Sequence, residues 1–269
     1  MAVRSPVLLV LGAALLTASL AGCSGITEAS RPTINRYAAV NITARTSGPG
    51  QARGTATVIF FDALSVQAPS SVLQQTDECV FSAVDTLVTP TVGQNRAGST
   101  IGFTAGSTSL QLAYSDTLRR YATPAGQPFT YSTGDQARVT IPGAADVFPA
   151  QSISIKLAEP LVPGPVAAPL SGQPYTVTWN GTNDPTAAII LSIKYANPAT
   201  ASYANEQIYC ALRDDGSHTI PATGLTGFLG SPANRRSVTL TRWRTTEAQP
   251  DARTLLHVAT SVDTTVVVP

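Results

Sequence analysis

Charge is scarce in this sequence. Only 12% of its 269 residues are Asp, Glu, Lys or Arg, against about 25% in an ordinary soluble domain. The 17 basic and 16 acidic side chains nearly cancel, leaving a net charge of +1. Such a balance carries no electrostatic footprint for nucleic acid. Lys156 and Lys194 are the only lysines, and the arginines are scattered rather than clustered. His218 and His257 are the only histidines and Met1 the only methionine, too few soft or imidazole ligands for a multi-His metal centre or a metal carrier. There is no Gly-x-Ser-x-Gly elbow, Walker loop, His-Glu-x-x-His, Cys-x-x-Cys or strand-linked dinucleotide fingerprint. No catalytic residue, metal or cofactor is therefore expected. No stretch holds a 3.6-residue period for long, so long amphipathic helices are not expected either.

Hydrophobic residues make up 43%, and 20 glycines and 20 prolines accompany abundant Ser and Thr. That is the composition of short strands joined by turns. Arg36–Ala44 places apolar residues at 38, 40, 42 and 44, a period of two. Ser47-Gly48-Pro49-Gly50 is a turn, and Thr55–Leu64 reads as a buried strand. Further strands are expected at 79–87, 100–104, 110–114, 129–132, 138–141, 153–157, 175–180, 188–195, 207–212, 218–220, 237–244 and 255–268. Short helices are expected near 116–121 and 223–229. The densest run of prolines, at 160, 163, 165, 169 and 174, is extended and semi-rigid. It is the expected domain boundary.

At the N-terminus, Arg4 precedes an apolar run from Val7 to Leu20 and then small residues. This is the layout of a secretory signal peptide, too short to span a bilayer. Leu20-Ala21-Gly22-Cys23 resembles the lipobox of bacterial lipoproteins. The resemblance implies that signal peptidase II recognises Leu20, Ala21 and Gly22 and cuts before Cys23, whose thiol carries the lipid. It also implies membrane attachment in the cell envelope. Ser24, where an Asp would retain a lipoprotein at the inner membrane, favours the outer membrane or cell surface.

The expected organisation is a signal peptide at 1–22, a lipidated tether at 23–33 and a β-sandwich at 34–158. A Pro-rich linker at 159–174 and a second sandwich at 175–269 follow. Trp179, the run Tyr209-Cys210-Ala211-Leu212, the turn Asp214-Asp215-Gly216 and the final strand resemble an immunoglobulin or fibronectin-III-type domain. The implied fold class is all-β, with two immunoglobulin-like sandwiches. Asp215–Pro221 also resembles a phrase of bacterial surface lipoproteins. Cys79 and Cys210 form an even pair in an oxidising compartment. Because they fall in different expected domains, within apolar strand runs, two buried unpaired thiols are favoured over a disulfide.

Several residues have the right chemistry for a site. His218 neighbours Asp214, Asp215 and Ser217, yet strand neighbours point to opposite faces, so an exposed edge histidine is expected rather than a triad. His257 reads as a rim residue. Asn180, Asn183, Asp184, Asp214 and Asp215 are hard oxygen ligands from two loops, but without an Asp-x-Asp-x-Asp run they read as turn residues. Gly224, Gly227 and Gly230 read as loop glycines. Phe60, Phe61, Trp179 and Tyr209 are expected in the core; Tyr195, Tyr203 and Trp243 are candidates for an exposed aromatic platform. Arg242, Trp243 and Arg244 are the expected exposed anchors of an interface. The function expected is a non-catalytic, lipid-anchored role, structural, adhesive or partner-binding, toward an envelope protein or glycan. The alternative is a secreted enzyme or accessory domain acting on cell-wall or extracellular polysaccharide, for which no facing carboxylate pair stands out.

Overall fold

The computed structural model describes residues 34–62, 76–83, 95–182, 184–196, 204–225 and 236–268. Residues 1–33, where the signal peptide, lipobox and tether are expected, lie outside them, as do Asn183, Tyr203, Gly227 and Gly230.

The alternation at 36–44 produces β1 (Arg36–Gly48), with Ala38, Val40, Ile42 and Ala44 buried. The chain reverses at Pro49-Gly50, where Gly50 takes a φ of 65° that favours glycine. It returns as β2 (Gln51–Asp62), which buries Ala52, Ala56, Val58 and Phe60. At Gly54 this inner face has no room for a side chain, because the cross-strand Phe129 ring lies against it. A Cβ on Gly54 would sit 3.2 Å from the Phe129 ring, 2.9 Å from Ala44 Cβ and 2.8 Å from the Thr43 carbonyl oxygen.

Two short strands share the length of β2: β6 (Arg120–Ala122) and β7 (Phe129–Ser132). The sheet then continues from β6 through β5 (Thr108–Ser115), β4 (Thr100–Ala105) and β8 (Gln136–Ile141) to β9 (Gln151–Lys156). Beside β1 on its other edge lies β15 (Thr254–Val268), the parallel neighbour, with Arg36 opposite Thr254 and Arg45 opposite Asp263. Beyond it run β14 (Arg236–Asp251), β11 (Ala187–Tyr195), β12 (Glu206–Arg213) and β3 (Glu78–Ala83). These strands form one 13-stranded mixed sheet. A separate pair, β10 (Tyr175–Thr178) with β13 (Ser217–Ile220), contributes Tyr175, Val177 and Ile220 to the same core as Ile189, Leu191 and Leu212.

The protein is all-β among the described residues, as the alternation predicts; a 3₁₀ turn at Ala222–Leu225 is its only helical element there. Most expected strands appear within a few residues. The segment expected as a helix near 116–121 instead forms a turn leading into β6. The Tyr121 hydroxyl, buried by its neighbours, donates to the Gly98 carbonyl and accepts from the Ala97 amide. That tertiary anchoring overrides a weak local helix signal.

The strands expected on either side of 159–174 share one sheet, and β3 crosses the expected division to pair with β12. Ile34–Pro269 forms one compact unit with one core: β12, β11, β14 and β15 of the second expected sandwich continue the sheet of the first across the β1–β15 pair, and β3 of the first adds beyond β12. The segment itself is pinned down. Leu157, Ala158 and Leu161 are buried. The Ala158 carbonyl accepts from the Tyr131 hydroxyl at 2.9 Å, while the Leu161 amide and carbonyl both bond Thr46 Oγ1, at 3.0 and 2.8 Å. Backbone bonds from Asn180 to the Val162 carbonyl and from Gly164 to that of Thr178 lay the run alongside β10. Proline removes donors but leaves carbonyls, and here those carbonyls are used. Composition alone does not separate a free linker from such a strut.

Candidate functional site

Arg242 and Asp214 stand at the centre of the buried polar residues. The inward-facing register of β14 buries Arg242 completely, and Asp214 lies in the turn between β12 and β13. Arg242 donates Nε to Asp214 Oδ2 at 2.7 Å and Nη2 to Oδ1 at 3.0 Å. Its remaining N–H groups reach the carbonyls of Glu159, Pro160 and Asn180. Asp214 also accepts from Trp179 Nε1 at 2.9 Å and Thr182 Oγ1 at 2.6 Å. All five guanidinium donors are used, and the carboxylate accepts four bonds. A group so fully engaged joins the strut, β10, the β12–β13 turn and β14 rather than waiting for a ligand. Arg242 and Arg244 are therefore not the exposed anchors expected; both are buried, and Trp243 between them is half-buried. The alternation that places residue 243 outward places 242 and 244 inward.

Arg244 leads a second cluster. Its Nη1 lies 2.7 Å from Asp184 Oδ2 and 2.7 Å from Thr186 Oγ1. Lys156 Nζ bridges Asp184 and Glu159 at 3.1 and 3.0 Å. Burial pushes the Asp184 carboxyl up, but the Thr186 hydroxyl and amide, Arg244 and Lys156 outweigh it and hold the pKa well below the usual range. A depressed folded-state pKa adds stability that is present above the unfolded value, about 4, and lost as pH falls below it. Asp184→Asn should therefore lower stability at neutral pH by about 1–2 kcal/mol and flatten the acid limb of a stability-against-pH curve. Thermal melts from neutral to acid pH test this; parallel wild-type and variant curves would contradict it.

The two loops carrying the hard oxygen atoms do approach each other, with the Thr182 amide bonded to the Asp214 carbonyl. Their side chains face elsewhere. Asn180 Oδ1 accepts from the Val162 amide, Asp184 faces two cations and Asp214 holds Arg242. Among the described residues no group of three His, Cys, Asp or Glu side chains is placed to share a metal ion.

Cys79 and Cys210 form a disulfide, against the expectation of unpaired thiols. They are directly opposed on antiparallel β3 and β12, with Cα atoms 4.1 Å apart. β3 follows β2 in sequence but adds to the far end of the sheet, beside β12, which is why an assignment by sequence block missed the pair. His218 Nε2 lies 3.8 Å from Cys79 Sγ, so this half-buried histidine packs against the disulfide rather than serving Ser217. His257 is buried rather than at the rim, its Nδ1 3.2 Å from Glu247 Oε1 on the adjacent β14. Phe60, Phe61 and Trp179 are buried as expected, whereas Tyr209 faces outward at 40% exposure opposite Val80. Tyr195 is buried, not part of a platform.

A concavity of about 590 Å³ lies on the outer face of the sheet where β2, β1 and β15 run side by side. The register sets Arg53 directly opposite Arg45, and Arg45 beside Asp263. The hydroxyl-bearing residues Thr43, Ser47 and Thr55 line it with them. Both arginines are exposed, and among the described residues neither forms an ion pair, nor does Asp263. Like charges directly opposed across strands destabilise a sheet. Elsewhere Arg96, Arg213, Arg242 and Arg244 each face a carboxylate. The alternation of β1 and β2 shows that residues 45 and 53 share an outward face, but their opposition depends on the Pro49-Gly50 turn, whose register sequence reasoning did not resolve. Comparison with protein-family models, curated proteins and solved structures finds no match to this chain.

Proposed function

We propose that this protein is an exported, lipid-anchored component of a bacterial envelope with a non-catalytic, partner-binding role. The disulfide between Cys79 and Cys210 is the observation that carries the reading, since such bonds persist in oxidising compartments and are rare in the cytosol. It is independent of the N-terminal signal and agrees with it. Cys23, after Leu20-Ala21-Gly22, would be the lipidated first residue of the mature chain. Several acyl chains make a stable anchor, each buried CH₂ adding about 0.8 kcal/mol.

The binding role is supported by how the charged groups are used. Asp214, Arg242, Asp184 and Arg244, which include the strongest chemical candidates in the sequence, are engaged with one another and with backbone carbonyls. The exposed Arg45, Arg53, Thr43 and Thr55 instead line an open groove. The immunoglobulin-like reading of the C-terminal part is kept within this proposal, supported by the β10–β13 pair sharing a core with β11, β12 and β14.

Intact-mass analysis of the membrane-extracted protein tests the anchor. The expected mature chain begins at an acylated Cys23, and Cys23→Ser leaves an uncleaved or soluble product without acyl label. A wild-type chain that starts elsewhere and carries no lipid overturns the reading.

A further inference from the structure

We infer that the groove on the outer face of β2, β1 and β15 is a binding site for an acidic glycan, with Arg45 and Arg53 together holding its carboxylate or phosphate. The inference rests on the partner-binding reading above and supplies the chemistry of the partner. Three observations carry it. The first is the register, which sets Arg45 and Arg53 directly opposite each other on central strands rather than on loops. Cross-strand neighbours of this kind have Cβ atoms about 5 Å apart, a spacing at which one oxyanion accepts hydrogen bonds from both.

The second is that this arrangement works against the fold in isolation. Two like charges are opposed, one carboxylate stands beside them, and none of the three is paired among the described residues. A bound oxyanion removes that repulsion. The groove's net charge of +1 from Arg45, Arg53 and Asp263 selects an anion, and Asp263 at the β15 side directs the anionic group toward the two arginines.

The third is the rest of the lining. Thr43 and Thr55 present hydroxyls across the same two strands, 3.4 Å apart, and Ser47 adds another. Hydroxyls recognise a hydroxylated chain, and the aliphatic stems of the arginines, the threonine methyls and Pro128 offer the apolar faces of sugar rings a surface to lie on. The groove's volume of about 590 Å³ has room for a few sugar units.

The test is calorimetric titration of the purified full-length protein with oligogalacturonate, with poly(glycerol phosphate) and with neutral dextran of similar length. Binding of either anionic chain, weakening with added salt and absent for dextran, is expected; the tighter of the two identifies the anionic group as carboxylate or phosphate. Arg45→Gln and Arg53→Gln should each weaken that binding about tenfold, and the double variant should abolish it. Arg45→Lys should recover part of the loss. Each Gln variant should melt at or above the wild-type temperature, because it relieves a like-charge contact. A merely structural role for the arginines would lower it. Equal binding of dextran, or retention of anionic binding in a folded double variant, overturns the inference. Acyl labelling of Cys23 in the same preparation is read separately, so loss of the glycan site and loss of the anchor are distinguishable.

Discussion

Arg242→Met should lower the melting temperature by on the order of 10 °C, although Arg242 contacts no solvent and no groove. The substitution removes all five donors at once. It leaves the Asp214 carboxylate buried against Trp179 and Thr182 with no cation, and strands the carbonyls of Glu159, Pro160 and Asn180. Breaking a buried ion pair from one side costs about 3–5 kcal/mol, and in a chain of this size each kcal/mol shifts the midpoint by about 2–4 °C. Asp214→Leu alone should be as damaging, because the guanidinium is then the orphan. The double variant Arg242→Met, Asp214→Leu should be less unstable than the sum of the two, since both charges leave together. Thermal unfolding followed by circular dichroism measures all three. If Arg242→Met melts within a degree or two of the wild type, the network does not hold the fold together.

A second large effect is expected at the sheet's far edge. Cys79→Ala with Cys210→Ala should destabilise the protein by about 5 kcal/mol, the loop-closure value for a bridge spanning more than a hundred residues. The two cysteines are 131 residues apart. The loss should appear equally on reducing the wild type, and should come with early protection loss in β3, which the bridge attaches to β12. Alkylation of the denatured, unreduced wild type should label neither Cys79 nor Cys210. Labelling of both would show them to be free thiols and remove the main support for an oxidising compartment.

The strands were largely legible because period-two alternation is local: Ala38, Val40, Ile42 and Ala44 declare an inner face without reference to anything distant. What the sequence concealed is non-local. The alternation of 242 and 244 with 243 was as visible as that in β1, but an arginine in an inward position is read as outward by its chemistry, and only Asp214, 28 residues earlier, makes the inward placement tolerable. The same holds for Pro160 and its neighbours. Their composition indicates extended backbone correctly, while the donors that lock its carbonyls, Arg242 and Thr46, come from other parts of the chain. His257 was misplaced for a similar reason, since its cross-strand partner Glu247 lies beyond a reversal whose register the residues do not announce. The groove needed two registers at once, β1 with β2 and β1 with β15, and the second joins segments from opposite ends of the described chain.

That parallel β1–β15 pair also constrains how the molecule comes into being. β1 has β2 beside it almost as soon as it is made, but its other edge is open until a segment about 200 residues later arrives, a separation that makes for high contact order and slow folding. Until then the long β1 edge is unpaired, a template for wrong partners. For a polypeptide that threads a translocon as an extended chain, this delay is an advantage: the central sheet cannot close early and jam the channel. On the exported reading proposed above, completion falls on the far side of the membrane, where the thiols of Cys79 and Cys210 can also be oxidised.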